Sequence, residues 1–303
     1  MQAGAELVLD ALRTKGMRAS ILPIGRLVDL ERDVRSLLDS GAIGADFYKE
    51  NFGGFKFELP LDFADAKSIV IVATPAPILV TSFALHGKRV EAIIPPTYGQ
   101  AVPIREAAKR ALTEASAPST FRFEFAVLPC KTLAVRSGLA RYGRNNVTYV
   151  DGMGSFHRLT AFFSDLRVET DTWRDREQLP ECKGCMRCMR NCPTGAIAKD
   201  RFLLHAERCL TYLNELPKVR PFPERIRKDM HNAIVGCMRC QNVCPADMEV
   251  IDKVLDVDSF TEQETAFLLA GSYDNDEGKR ILAKLQTMGL DLSIFPRNLA
   301  ALL

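Results

Sequence analysis

The cysteines are the residues of this chain whose spacing most clearly predicts chemistry. Eight of the nine cysteines lie between Cys182 and Cys244, and only Cys130 lies elsewhere. The run Cys182–Pro193 has the spacing C-x2-C-x2-C-x3-C-P, and Cys237–Pro245 has the same ending. Runs of the first kind bind [4Fe–4S] clusters in bacterial ferredoxins, where the fourth cysteine ligates the neighbouring cluster. The sequence therefore predicts two [4Fe–4S] clusters.

The cross-ligation rule assigns each of the eight cysteines to one cluster, with Cys209 as the ligand displaced from the start of the second run. The first predicted cluster takes Cys182, Cys185, Cys188 and Cys244. The second takes Cys192, Cys209, Cys237 and Cys240. Two structural zinc sites of four cysteines are the alternative, because they share the C-x2-C unit. Zinc explains neither the closely following third cysteine nor the two Cys-Pro endings.

The cysteine-rich region is locally basic. Residues 181–245 contain twelve Lys/Arg and six Asp/Glu, a local net charge of +6. Part of this charge offsets the negative charge of thiolate-bound clusters, and part attracts an acidic partner. We therefore expect a low-potential electron donor such as a ferredoxin or flavodoxin; a solvated basic face is the alternative.

The overall composition is that of an ordinary globular protein. The chain has 303 residues, 47% hydrophobic and 26% charged, which excludes a largely disordered chain, a collagen and a coiled coil. The longest uncharged apolar stretch, Ser68–Leu85, contains Pro75 and Pro77 and so predicts a buried strand and loop, not a membrane span. Glu6 and Asp10 argue against a signal peptide. We therefore expect a cytoplasmic protein with no membrane partner.

Apolar periodicity before the cysteines predicts an α/β (α+β) domain with a mixed sheet. The predicted helices are 5–15, 26–39, 104–115 and 131–137. The predicted strands are 68–73, 79–85, 90–94, 121–127, 147–150 and 156–163, with a hairpin loop at 86–89. Two or three short helices are expected over 258–303. The polar segment Thr170–Leu179 marks the junction, so the predicted division is a domain over 1–170, a ferredoxin-like double-cluster module over 171–250 and a short helical C-terminal segment over 251–303.

Standard nucleotide-binding motifs are missing from this sequence. No G-x-G-x-x-G follows a predicted strand, and G-x-x-x-x-G-K-[ST] does not occur. We therefore do not expect nucleotide binding of these kinds. A two-cluster module beside a domain of this size predicts a reductase or an electron relay.

Several segments resemble the epoxyqueuosine reductases and, more distantly, the corrinoid-dependent reductive dehalogenases. The resemblance extends over about 121–245. Its cysteine-bearing segments are Cys182–Ile197, Arg208–Leu213 and Gly236–Pro245. Upstream, Leu133–Leu139 followed by Gly143–Asn146 resembles the family segment beside the corrin ring, and Gly154–Thr160 with Ser164–Leu166 resembles the strand that follows.

The resemblance implies a nitroreductase-like domain that binds cobalamin, with one cluster close to the cobalt. Electrons would pass from the distal cluster through the proximal one to cobalt. The implied cofactor-binding residues are Arg136, Ser137, Gly138, Arg141, Tyr142, Gly143, Arg144, Asn145, Asn146, Gly154 and Ser155. The three arginines among them are expected to hold propionamide groups or a phosphate. The family's Gly-Leu-Gly-Trp is here Gly138-Leu139-Ala140-Arg141, so this ring contact has changed.

Three residues are candidate proton donors. Counting back from Gly138 without a gap places the family's proton-donating Asp at Glu124, and a Glu can deliver the same proton. Tyr142 and His157 are the other two candidates. The alternatives are that Glu124 lies on the polar face of a strand, that Tyr142 is a core residue, and that His157 is structural.

The resemblance leaves the substrate open. The sequence given ends at Leu303, without the helical-repeat tail with which those reductases grip tRNA, so we expect a small-molecule or unknown substrate and keep tRNA in doubt. One rival function is an electron-transfer or activator protein that reduces the cobalt of another corrinoid protein without binding corrin. The other rival is a flavin-binding reductase on the same scaffold.

Overall fold

The computed structural model describes residues 2–117, 119–217, 219–271, 275–290 and 294–303. The helices are α1 Gln2–Thr14, α2 Arg26–Asp39, α3 Ala45–Phe52, α4 Ala101–Ala115, α5 Cys130–Arg136, α6 Arg187–Asn191, α7 Leu210–Glu215, α8 Glu262–Ala270, α9 Asp276–Met288 and α10 Arg297–Leu302. The strands are β1 Arg18–Pro23, β2 Ser68–Pro75, β3 Ile78–Leu85, β4 Lys88–Ile94, β5 Phe123–Ala126, β6 Arg141–Tyr142, β7 Thr148–Tyr149, β8 His157–Ser164 and β9 Val254–Asp256.

A four-stranded antiparallel sheet in the order β1-β2-β8-β5 forms the centre of the larger domain. Strand β2 is buried along 68–74, as expected for a β-branched strand covered on both faces. Val70 and Val72 pack with α1 and α4, whereas Ile69 and Ile71 pack with α2 and α5. Alternate side chains of one strand thus build two cores, one on each side of the sheet.

A second sheet, in the order β4-β3-β9, combines two strands that precede the cysteine region with one that follows it. Strands β3 and β4 form the predicted hairpin around His86 and Gly87, both with positive φ. Strand β9 follows the cysteine region and pairs with β3 in parallel. The rings of Phe83 and Phe260 stack at 4.9 Å in the core that the hairpin shares with α8, α9 and α10.

The predicted fold class is confirmed, because the protein is α+β. Its mixed sheet is the three-stranded sheet β4-β3-β9. Every predicted helix and strand is present, with ends shifted by a few residues. The strand predicted over 147–150 is reduced to β7 and pairs with β6, because the turn at Gly152 and Gly154 directs β8 into the large sheet. The division at residues 170 and 250 stays a prediction.

Across the described part of the chain, no helix combines the length and apolar character that a membrane crossing requires.

Candidate iron–sulfur and cofactor site

The eight clustered cysteines surround two cavities in the combination that the sequence predicts. Those lining the first cysteine cavity are Cys182, Cys185, Cys188 and Cys244. Those lining the second cysteine cavity are Cys192, Cys209, Cys237 and Cys240. Among the described residues, no group of three or more Cys, His, Asp or Glu is placed to hold a single metal ion. Four thiols around each cavity are a donor set that suits a four-iron cubane.

Local backbone geometry explains how one run serves both cavities. Helix α6 carries Cys188 and ends at Cys192, whose backbone is extended, with φ −78° and ψ 110°. Pro193 disfavours a helical conformation in the residue before it, so the chain leaves the helix there. Cys244, also extended and also followed by a proline, repeats this arrangement at the end of the second run. Each Cys-Pro pair therefore directs its thiol to the other cavity.

Arg144 ties the first cysteine loop to the larger domain. Its backbone N–H donates to the Cys182 sulfur at 3.3 Å. Its guanidinium donates to the carbonyl oxygens of Cys182 and Cys185, both at 3.1 Å. These bonds fix the backbone on which two ligands of the first cavity are carried.

Asn145 lies between the two cysteine cavities and lines both of them. Its side chain is 3% exposed. The amide donates to the Tyr149 hydroxyl at 3.0 Å. Burial raises the pKa of Cys240 and of Cys244, and Asn145 offsets part of the rise for Cys240 as Tyr149 does for Cys244. The Asn145–Tyr149 contact therefore links one predicted ligand of each cavity. Gly143 permits it, because a Cβ there would lie 2.5 Å from the Tyr149 ring.

Burial governs the protonation of the cysteine thiols. It raises the pKa of Cys188 and of Cys237 to about 11 each and raises that of Cys240 further. Thiols of this kind stay protonated at neutral pH until a metal displaces the proton.

An apolar cavity of about 500 Å³ adjoins the second cysteine cavity. Its walls are largely aromatic and aliphatic, among them Phe47, Phe52, Phe55, Tyr142, Phe202 and Leu204. Asn146 and Leu204 line both this cavity and the second cysteine cavity. A bound group here therefore lies next to the cysteines of the second cluster and not to those of the first.

A polar cavity of about 270 Å³ lies on the other side of Cys130 and Lys131, which line both it and the apolar cavity. It contains Arg158, His157 and Tyr98, and it shares Thr211, Cys237 and Gln241 with the second cysteine cavity. Three cavities therefore converge on Lys131, at the start of α5.

Residues 181–247 match the family model described as a 4Fe-4S double cluster binding domain. Among curated proteins, the chain is 35% identical over 113 residues to the epoxyqueuosine reductase of Cyclobacterium marinum, covering 37% of this chain and 34% of the relative. It is 34% identical over 115 residues to that of Escherichia coli, covering 38% and 29%. The match thus spans about a third of these relatives' length.

Solved structures extend the likeness to the whole chain. The structure of epoxyqueuosine reductase from Streptococcus thermophilus matches with a TM-score of 0.69 at 20% identity, covering 100% of this chain and 81% of that one. The structure of the Bacillus subtilis enzyme matches with a TM-score of 0.63, covering 99% and 81%. This chain has the fold of the epoxyqueuosine reductases.

The residues assigned by resemblance to the epoxyqueuosine reductases divide among the cavities. Tyr142 and Asn146 line the apolar cavity. Gly143, Arg144 and Asn145 line the first cysteine cavity instead. The loop 142–146 thus contacts both predicted cluster sites and the apolar cavity.

Four other residues predicted to bind cofactor have structural partners. Arg136 is paired with Asp33 through two hydrogen bonds of 2.6 and 2.7 Å, and Arg141 pairs with Glu177 and Asp151. Ser137 donates to the carbonyl of Ala134, and Gly138 ends α5 against the guanidinium of Arg174. Arg136, Arg141 and Arg174 fasten the linker around 171–179 to the larger domain. Cofactor binding by these four residues stays a prediction.

Gly154 and Ser155 hold the second cysteine run against the larger domain. The buried Asp247 carboxylate accepts from the Ser155 N–H at 2.6 Å and from its hydroxyl at 2.8 Å, and Gln241 donates to that hydroxyl at 2.8 Å. Gly154 contacts the same carboxylate so closely that a Cβ would collide with it. Only Ser155 of the two lines the polar cavity.

Glu124 lies on the edge strand β5 with both carboxylate oxygens engaged. Lys109 donates to one at 3.1 Å and Arg122 to the other at 3.2 Å. Burial raises the pKa of Glu124, but these two cations outweigh it and lower the pKa below its usual value. An ionised carboxylate of this kind does not offer a proton at neutral pH, which favours the alternative of a polar strand face.

His157 is 2% exposed, and both ring nitrogens have partners. Nδ1 faces the Gly154 carbonyl at 3.1 Å, and Nε2 faces the Thr148 hydroxyl at 3.2 Å. Because a carbonyl only accepts, Nδ1 carries the proton and Nε2 accepts from Thr148. Burial lowers the pKa of His157 to about 4, so the ring is neutral and structural.

Several residues of these cavities were not singled out in the sequence. No sequence pattern indicates Tyr149, Lys131 or Arg158, because the cavities that they line form only when distant segments of the chain meet. The aromatic-rich segment around 47–57 is a signal that could have been used, since three of its phenylalanines line the apolar cavity.

Paired substitutions test the cross-ligation. We expect Cys192→Ala combined with Cys209→Ala to retain about four iron atoms per chain, because both cysteines line one cavity, and Cys192→Ala combined with Cys185→Ala to lose iron from both sites. Iron analysis and the EPR spectrum of the reduced protein measure this. Equal iron loss in the two double variants would contradict the assignment.

Tyr149→Phe removes the hydroxyl that offsets part of the burial-raised pKa of Cys244 and leaves the ring in place. We expect a more negative reduction potential for the first cluster, because a hydroxyl that favours the thiolate of a ligand also stabilises the added electron. A redox titration followed by EPR measures it. Tyr142→Phe, which removes a hydroxyl bonded to Thr132 and not to a cysteine, is the control and should leave that potential unchanged.

His157→Gln tests the neutral histidine. The pKa of His157 is about 4 in the folded protein and about 6.5 in an unfolded chain, so between these values the unfolded state binds the extra proton. Stability therefore falls as the pH drops through this window, by up to about 3 kcal/mol from this residue. Denaturant unfolding of both proteins at pH values across the window should show a shallower decline in the variant; parallel curves would refute the assignment.

Proposed function

We propose that this protein is a corrinoid-dependent iron–sulfur oxidoreductase. One observation carries the proposal: the apolar cavity shares Asn146 and Leu204 with the cavity of the second cysteine set. A protein that only relays electrons between partners needs no such cavity beside its inner cluster. The fold and the resemblance of the cysteine region to epoxyqueuosine reductases support the same class of reaction.

The cysteine cavities fit iron–sulfur clusters by the chemistry of their donors. Each cavity offers four thiols and no competing carboxylate or imidazole ligand among the described residues lining it, apart from Glu181 beside the first. When bound, the clusters supply one-electron transfer. The cysteines bind the iron, Arg144 orients two of them, and Asn145 and Tyr149 favour the thiolate form of one cysteine in each set.

The apolar cavity fits a large ring system with polar substituents. Its walls are mainly aromatic and aliphatic, and the polar side chains among them are Asn51, Lys131, Thr132, Asn146 and Arg176. Apolar walls with a few placed polar groups are typical of cofactor sites. When bound, a corrinoid supplies a cobalt centre that is a strong nucleophile and reductant. The aromatic walls would exclude water from that centre.

The layout supports an order for the two cysteine sets. The exposed cations Lys183, Arg187 and Arg190 lie on the first run, and Arg187 lines the first cysteine cavity. The second cysteine cavity faces the apolar and polar cavities. We infer that an acidic donor such as a ferredoxin or flavodoxin docks at the first set and that the second set faces the substrate.

The substrate is part of the proposal. One solved structure with this fold, at a TM-score of 0.62, is of an epoxyqueuosine reductase with an epoxyqueuosine-modified tRNA stem loop. That stem loop is therefore the first substrate to assay, beside the small molecule that the sequence analysis favours.

Cofactor retention tests the proposal. Reconstituted protein is mixed with hydroxocobalamin without oxygen and desalted; we expect about eight iron atoms and one cobalt per chain. Thr132→Trp should fill the apolar cavity and abolish cobalt retention, whereas Thr113→Trp, exposed on α4, should retain it. Iron without retained cobalt in the unsubstituted protein would favour an electron-transfer protein, and a yellow chromophore released by heat would favour a flavin. Either result would overturn the proposal.

A further inference from the structure

Two cations in the polar cavity have no carboxylate partner. Lys131 is exposed at the start of α5 and forms no ion pair within the described ranges of the chain. Arg158, half-buried on β8, donates to the carbonyl oxygen of Thr97, and no carboxylate of the described residues lies within ion-pair distance of it. Removing a guanidinium from water without an anionic partner is costly, so the half-buried Arg158 requires an explanation.

The surroundings of these cations increase the positive potential of the polar cavity. Arg105 lies close enough to Arg158 to lower its pKa further, after the larger effect of burial. His157 is neutral and its nitrogens are occupied. Glu215 is hydrogen-bonded to Tyr98; burial raises its pKa, and the charge of Lys131 offsets part of that rise.

Neutral hydrogen-bonding groups complete the polar cavity. Thr97, Thr148, Thr211 and Gln241 line it beside the two cations. Thr74 pairs with Arg158 across strands β2 and β8, and its buried hydroxyl oxygen has no hydrogen-bond partner. Side chains of a cross-strand pair lie on the same face of the sheet, so Thr74 and Arg158 share a face.

Neutralising the iron–sulfur cluster does not account for both cations. Lys131 lines the second cysteine cavity and is suited to that purpose. Arg158 lines the polar cavity but is not among the residues that line the second cysteine cavity. A guanidinium with free N–H groups is, however, well suited to bind a phosphate or carboxylate through two bonds.

We propose that the polar cavity is an oxyanion-binding site, in which Lys131 and Arg158 receive a phosphate or carboxylate group carried by the small-molecule substrate. The inference rests on the proposed function, because it names a chemical group of the substrate of that reductase. The site lies beside the second cysteine cavity and shares Cys130 and Lys131 with the apolar cavity. A substrate anchored here by its anionic group would extend into the cofactor cavity.

Inorganic phosphate is the probe, and the iron–sulfur protein without corrinoid is the sample. Phosphate bound in the polar cavity is next to the second cluster, so reduction of that cluster should broaden its phosphorus NMR signal. We expect Lys131→Met and Arg158→Met each to weaken phosphate binding by about tenfold or more, because each removes charge-assisted hydrogen bonds. Lys88→Met and Arg89→Met, made singly at two exposed cations at the start of β4, are the charge-matched control and should bind phosphate normally.

Iron content and thermal unfolding are measured on every variant to separate misfolding from lost binding. Arg158→Lys keeps the positive charge but loses the paired N–H donors of the guanidinium. It should therefore bind phosphate more strongly than Arg158→Met and more weakly than the unsubstituted protein. Absence of phosphate binding in the unsubstituted protein, or equal weakening in the control, would overturn the proposal.

Cobalamin itself carries a phosphodiester, which could occupy the polar cavity in place of a substrate group. A second arm of the experiment distinguishes these two occupants. Phosphate that still binds after cobalamin is loaded supports a substrate site. Phosphate displaced by cobalamin but not by cobinamide, which lacks the phosphodiester, would assign the cavity to the cofactor and overturn the substrate assignment. Because the first arm contains no corrinoid, failure of cobalt retention leaves its result intact, and the two proposals fail separately.

Discussion

The exchange of cysteines between the two runs is the constraint on which this structure depends. Cys192 belongs to the first run and lines the second cavity, and Cys244 does the reverse. Neither cavity is complete until segments about fifty residues apart have been brought together, so the two sites form as one unit. The larger domain supplies the scaffold, because Arg144 clamps the first run and Ser155 binds Asp247 beside the second.

The loop 142–146 is where the binding sites communicate. Its successive residues contact the apolar cavity, the first cysteine cavity, both cysteine cavities and again the apolar cavity. The hydrogen-bonded pair of Asn145 and Tyr149 favours the thiolate form of one cysteine in each set. Polar groups near ligand sulfurs tune reduction potentials, so a change in this loop affects both cysteine cavities and the apolar cavity together.

The sequence predicts well what short spacing determines and poorly what distant partners determine. The grouping of the eight cysteines follows from spacers of two or three residues and a proline, and the structure brings the same eight together. Arg136 looks like a cofactor ligand from its neighbours, yet Asp33, far along the chain, engages it. Arg158 carries no local signal, since its cavity exists only when α5, β8 and α7 meet. Counting along the sequence places the proton donor at Glu124, but it does not reveal that Lys109 and Arg122 pair with this carboxylate in the fold.

Strand β9 gives the cysteine region a second attachment to the larger domain. The chain leaves that domain after β8, passes both cysteine runs and returns to pair with β3, where the Ile78 N–H donates to the Lys253 carbonyl. Ile234 bonds β4 on the way. A module anchored at both ends cannot pivot like a domain on a single tether. Electron tunnelling depends steeply on separation, and this anchoring keeps the second cysteine cavity at a constant distance from the apolar cavity that adjoins it.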